Sequence, residues 1–226
     1  MMKKLVVILS LLAFTACCNA GGEKVAVAEV EAGAKAGVEY GALDREGLPA
    51  KSFDEIFAPI DISEVPENMF KLIGGDLYVI TAGNTEDHNS MVAGWGGWGI
   101  LLNKPVTWCF LHASRYTLDY MKREKKYTIC FFDEAQKDEF MPFGAKSGRD
   151  SDKMKEHTLL PVVAPGGSVA YKEAKLVIEC TLAEVTTVSP DDFYTPEGQE
   201  FGSAGFGQGF DYRLVFGDVT GVWIRK

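Results

Sequence analysis

Histidine is scarce in this chain: His88, His112 and His157 are the three among 226 residues. No two of them fall within one helical turn or on one strand, so a zinc hydrolase built on paired imidazoles lacks its ligands. Cysteine is nearly as sparse. Cys17 and Cys18 adjoin near the N-terminus, while Cys109, Cys130 and Cys180 stand singly in apolar runs. That spacing suits neither a zinc site nor a disulfide framework. The last three read as small buried core residues, with one bridge among them as the alternative. No Gly-x-Ser-x-Gly elbow occurs, which removes the motif of the α/β-hydrolases. Internal repeats are absent, and no pair of carboxylates stands out from an acidic, solvated surface. Lys and Arg number 23 against 32 Asp and Glu, a formal charge of −9. Such a surface lacks the clustered cations that sequence-independent nucleic-acid binding requires.

Long apolar runs are missing too. The longest, Leu5 to Phe14, is interrupted by Ser10 and preceded by Lys3 and Lys4. It is too short to span a bilayer and has the length of a secretory signal. Phe14-Thr15-Ala16-Cys17 resembles a bacterial lipobox with phenylalanine in the usual leucine position. The expectation is a signal peptide over 1–16, lipidation at Cys17 and an exported, membrane-anchored protein. Cleavage after Ala20, releasing a soluble periplasmic protein, is the alternative. Residues 17–50 are rich in Ala, Gly, Val and Glu without a period and read as a flexible tether. A domain over 51–226 follows.

What is present is β-branched, aromatic and glycine-rich: 12% aromatic, with 24 glycines. Strands are expected at Leu77–Thr81, Val106–His112, Tyr127–Phe132, Lys175–Val185, Tyr212–Val219 and Val222–Ile224. Short helices are expected over Thr117–Glu124, Glu134–Met141 and up to His157. Asn89 to Trp95 reads as a small-residue loop, and Phe201 to Phe210 as a mobile glycine-rich one. Many strands with short helices between them predict a mainly β fold, a barrel with excursions. The loop of small residues lets a backbone approach a flat ligand closely. The strand-to-helix junction Arg115-Tyr116-Thr117 offers positive charge, hydroxyls and outward N–H groups for an anion. Together they suit a polar-edged ring with an anionic tail, as in a flavin. The bland reading makes Trp95 and Trp98 core anchors and Arg115 a structural ion-pair partner.

The segments Asn68-Met69-Phe70-Lys71-Leu72-Ile73-Gly74, Ile80-Thr81-Ala82-Gly83, Asn89-Ser90-Met91-Val92-Ala93-Gly94-Trp95-Gly96-Gly97, Asn103-Lys104-Pro105-Val106, Arg115-Tyr116-Thr117, Ser147-Gly148-Arg149-Asp150 and Glu173-Ala174-Lys175-Leu176-Val177 occur in one order. In that order they resemble the flavin reductase-like proteins, specifically the flavoredoxin-like branch of the FMN-binding split barrels. The resemblance implies a six-stranded antiparallel split barrel, a homodimer, and oxidoreductase activity using FMN and NAD(P)H or a redox partner protein. Carried over by position, Asn89, Ser90, Met91, Ala93, Gly94 and Trp95 line the ring and ribityl chain. Arg115, Tyr116 and Thr117 hold the phosphate, with Lys153 as a second positive charge. It implies neither a metal nor a catalytic side chain. Three positions depart from the branch. Gly94 stands where serine is common, His112 where arginine is common before Pro-Ser, and Tyr212 where a histidine often precedes arginine.

Overall fold

In a computed structural model of the chain, residues 51–207 and 209–226 are described. The signal peptide, Cys17 and the tether expected from the sequence lie outside them. The chain enters through α1 (Phe53–Ile56) and β1 (Phe57–Pro59), then makes a π-helical turn over Lys71–Asp76. β2 (Tyr78–Gly83), β3 (His88–Ala93), β4 (Gly96–Leu101) and β5 (Lys104–His112) follow as successive hairpins. α2 (Tyr116–Glu124) leads to β6 (Lys126–Phe131). The short helices α3 (Lys137–Phe140), α4 (Pro142–Ala145) and α5 (Lys153–Glu156) precede a small hairpin of β7 (Pro161–Val163) and β8 (Val169–Tyr171). β9 (Leu176–Thr187), α6 (Pro196–Ala204) and β10 (Tyr212–Arg225) complete the fold.

Seven strands pair antiparallel in the order β3-β2-β6-β9-β10-β5-β4, and β1 joins the C-terminal end of β10 as an eighth. The sheet therefore exceeds the six strands expected. Its two outermost strands, β3 and β4, are joined by Gly94 and Trp95 alone. Three Cα steps span at most about 11 Å, so the sheet must curl until its edges nearly meet. The result is a barrel left open along one seam, the split-barrel architecture expected.

Central strands are buried on both faces, so they read as continuous apolar runs rather than alternating ones. The strand period of two then sorts their residues into two cores. Tyr78, Ile80, Tyr127, Ile129, Phe131, Ile178 and Cys180 point into the barrel, where Leu118 and Met121 of α2 plug one end. Val79, Cys130 and Val177 point outward and are covered by Phe53, Phe140, Phe143, Leu159 and Tyr171 from the short helices and the small hairpin. Cys109, Cys130 and Cys180 are buried free thiols, with no bridge among them. Burial pushes each up to about 12.

Four expectations need correction. Asn89 to Ala93 is a strand, because its small polar side chains find buried partners. The helix expected over Glu134–Met141 is a 3-10 turn followed by α3, and Pro142 opens a separate helix, α4, since a proline at the first position gives up no needed N–H. The segment before Phe210 holds a helix, α6, capped by the Thr195 hydroxyl accepting from Gly198 N–H at 3.1 Å. Tyr212 to Arg225 is one strand, kinked by bulges at Phe216/Gly217 and Val219/Gly221. At Gly217 a Cβ would sit 2.1 Å from the Tyr127 hydroxyl, so only glycine lets the bulge close over the core.

Candidate functional site

β3 is an edge strand, so one side of its backbone has no sheet partner. Along it, Asn89, Met91 and Ala93 share one face, while Ser90 and Val92 share the other. Asn89 is buried, and its side-chain amide donates to the Thr117 hydroxyl at 2.7 Å. Thr117 is the second residue of α2, so this bond pins the start of that helix against the strand. Gly148 closes the other side of Asn89. A Cβ at 148 would lie 2.1 Å from the Asn89 Oδ1, so the loop approaches only because that position is glycine.

Arg115 is the N-cap of α2, in extended backbone, and makes no side-chain capping bond. The first N–H groups of a helix have no partner within it and carry the positive end of its dipole. Facing them, Lys153 is only 5% exposed. Its ammonium donates to the carbonyls of Phe143 and Lys146 at 2.8 and 2.9 Å. Neither Arg115 nor Lys153 has a carboxylate partner among the described residues. Burial first, and the nearby Arg115 second, bring the Lys153 ammonium down to about 8. A neighbouring arginine plays the structural part. Arg149 binds the Ser114 carbonyl at 2.6 Å, pairs with Asp119 and lies over the Tyr116 ring at 4.6 Å.

These residues surround a cavity of about 170 Å³. Its lining includes Asn89, Met91, Arg115, Thr117, Lys146 and Lys153, and no Asp or Glu. Two cations driven together in a partly dry pocket at a helix N-terminus are poised for an anion. Lys153 has three N–H donors, of which two are committed to carbonyls. The cavity admits an oxyanion head group but not a whole ring system.

Of the candidate residues, Asn89, Met91, Arg115, Tyr116, Thr117 and Lys153 all line this one cavity. Ser90 faces away from it: its hydroxyl is 2.7 Å from both the Thr81 and Tyr171 hydroxyls in the outer core. Ala93 packs against the barrel interior. Gly94 fits beneath Leu77 and beside the Ile73 carbonyl. Trp95 lies beyond the far end of β3, two residues past Ala93 in the turn to β4. Its carbonyl accepts from the Tyr78 hydroxyl at 2.7 Å and from Phe110 N–H at 3.2 Å. Its ring joins Phe110, Phe201, Phe206 and Tyr212, with centroids 5.5 to 6.0 Å away. His112 meets the Tyr212 ring edge-on at 5.1 Å and holds Ser114 through Nδ1 at 2.7 Å. The His112 carbonyl also accepts from Arg115 N–H at 3.1 Å, and Ser114 and Arg115 both line the cavity, so the cavity and the aromatic cluster adjoin through His112. Sequence reasoning missed Lys146 and this cluster. The signal for the cluster was there, in six aromatic residues between Phe193 and Tyr212.

A family profile described as flavin reductase like domain matches residues 70–226. No curated protein sequence matches the chain. Among solved structures, an FMN-binding protein from Thermus thermophilus with bound p-hydroxybenzaldehyde superposes with a TM-score of 0.52 at 21% identity, over 74% of this chain and 81% of that one. An FMN-binding domain of a flavin reductases-like enzyme from Shewanella baltica OS155 gives 0.53 at 16% identity, over 74% and 76%. Flavoredoxin from Methanosarcina acetivorans gives 0.49 at 16% identity, over 73% and 74%.

Proposed function

Because the chain belongs to the flavin reductase-like family, we propose that it is an FMN-binding oxidoreductase, passing electrons from a donor through the flavin to an acceptor. The observation that carries this reading is the Arg115–Lys153 pair. Two cations converge on a helix N-terminus with no carboxylate between them, an arrangement that fits a phosphate dianion and is costly without one. Bound flavin supplies the redox chemistry itself.

The chain's own residues bind, orient and exclude water. Arg115, Lys153 and the first N–H groups of α2 hold the phosphate. Asn89, fixed by Thr117, borders the chain leading from it. The unpaired edge of β3 offers backbone donors and acceptors, with Met91 and Ala93 as the apolar floor. Ser90 contributes only backbone, its hydroxyl being committed elsewhere. Gly94 and Trp95 mark the outer end. FMN rather than FAD is favoured because a small closed cavity suits a terminal phosphate better than a pyrophosphate that must continue outward.

NAD(P)H is one donor class; a redox partner protein is the other. A specific observation favours the second, an exported electron-transfer or redox-sensing module. The aromatic cleft beside Trp95 is rimmed by Glu197 and Glu200, which oppose a dinucleotide pyrophosphate. Export, lipidation at Cys17 and the homodimer belong to the same proposal. The dimer is supported by Ile100 and Leu102, 73% and 85% exposed at the β4–β5 turn, where a second copy would cover them.

The test is a visible absorption spectrum of the purified chain after incubation with FMN, then under anaerobic NADH, NADPH and finally dithionite. A flavin band bleached by a nicotinamide nucleotide supports the reductase. A band bleached by dithionite alone supports the electron carrier. No band after reconstitution overturns the flavin reading and leaves a cofactor-free scaffold.

A further inference from the structure

The segment between β9 and β10 is acidic and aromatic at once. No Lys or Arg occurs between Lys175 and Arg213, while Asp191, Asp192, Glu197, Glu200 and Asp211 fall within it. Arg213 is itself paired with Asp211. α6 places Glu197 and Glu200 one turn apart, and both border a cleft of about 520 Å³ whose other walls include Trp95, Phe110, Phe201 and Phe206. No basic residue lines it. Neither glutamate has a cationic partner among the described residues. After the helix, Gly205 and Gly207 take positive φ; the turn they allow presents Phe206, which is 68% exposed, opposite Trp95, which is 43% exposed.

Aromatic faces carry negative potential, and a cation is attracted to them most strongly where water is partly excluded. Here the rings and the two carboxylates act in the same sense. Centroid separations of 5.5 Å for Trp95–Phe206 and 5.3 Å for Phe201–Phe206 leave no room for a guest between rings. A ligand must lie flat against the exposed faces, with its charge toward α6. We infer that this cleft is a binding site for a planar organic cation, a quaternised nitrogen heteroaromatic, and that it discriminates against anionic aromatics of the same shape. None of the anion-cavity residues lines this cleft, and none of its walls is a bound flavin. Trp95 alone is shared with the outer end of the proposed flavin site, which would bring the bound cation next to it.

The test is calorimetric titration of the flavin-free full chain with N-methylacridinium, neutral acridine at mildly alkaline pH, and acridine-9-carboxylate. The cation is expected to bind about tenfold or more tighter than the carboxylate. The double variant Glu197→Gln/Glu200→Gln should bring the two within about twofold while leaving neutral acridine unchanged. Phe206→Ala, at an exposed loop position, should weaken the cation several-fold without lowering the thermal midpoint. Equal or tighter binding of the carboxylate would overturn the inference, as would a full cation preference in the double variant. Cation binding abolished by moderate salt and indifferent to Phe206→Ala would assign it to the chain's net charge and overturn it too. Failure to take up FMN leaves all of these outcomes readable.

Discussion

Lys153 is the residue whose surroundings make least sense without a ligand. A buried ammonium is ordinarily matched by a carboxylate, yet here its second influence after burial is another cation, Arg115. Lys153→Met is expected to weaken FMN by roughly 10- to 100-fold, about 1.4–2.8 kcal/mol, while riboflavin, which lacks the phosphate, changes little. Fluorescence titration with both flavins measures the difference. The same lysine predicts a pH dependence. Its folded value of about 8 lies below the ordinary lysine value of 10.5. Between those limits the unfolded chain holds more protons, so this group makes the flavin-free protein more stable as pH rises from about 8 to about 10.5. FMN affinity runs the other way, falling as pH rises through about 8 and the ammonium loses its charge. Lys153→Met should abolish that alkaline limb, measured as Kd against pH. Arg115 was legible in the sequence because a cation and hydroxyls stood at a strand-to-helix junction; Lys153 came by position from the family resemblance alone. The Ser90 hydroxyl was not: its partners, Thr81 and Tyr171, are 9 and 81 residues away.

At the scale of elements, the site depends on β3 and the first turn of α2 being locked together. The lock is the bond from Asn89 to Thr117. Thr117→Val keeps the shape and removes the acceptor, leaving the buried amide only a long 3.5 Å bond to the Ser90 carbonyl, at a cost of about 1–3 kcal/mol. At roughly 2–4 °C per kcal/mol for a chain of this size, the thermal midpoint should fall measurably, and FMN affinity with it. An unchanged midpoint would show that the bond carries no weight. β3 was misread as a loop because its polarity looks solvated, whereas the fold supplies buried partners for Asn89 and Ser90. α6 was misread because Gly198 and Gly202 depress helix propensity. Gly202 is there to pack: a Cβ would meet the Pro190 carbonyl at 2.7 Å. The single strand β10 looked like two because the extra residue Thr220, at the bulge beside Gly221, interrupts its alternation. Central strands such as β2 and β6 were read nearly to the residue, since burial on both faces leaves an unbroken apolar run.

For the molecule as a whole, the barrel and its outer layer bury every thiol described. With Cys109, Cys130 and Cys180 enclosed and held protonated to about 12, none should act as a redox centre. Alkylation of the native protein followed by peptide mass mapping is expected to leave all three unlabelled until denaturant is added; labelling of any one under native conditions would break that account. The overall architecture was accessible from sequence through its many strands with short helices between them and through segments ordered as in the flavin reductase-like proteins. Of the strands not expected, β1, β7 and β8 are three residues long and leave no periodic signal, and the glycines of β4 (Gly96, Gly97 and Gly99) hide its alternation.

On the proposed function, the cavity between β3, α2 and the loop before α5 receives the phosphate of FMN. The most direct test is a pair of titrations of the flavin-free chain, FMN against riboflavin, in the native protein and in Arg115→Gln/Lys153→Met. The account predicts that native protein prefers FMN by at least about a hundredfold and that the double variant loses nearly all of that preference. Equal affinity for the two flavins in the native protein, or a preference that survives in the double variant, would contradict it.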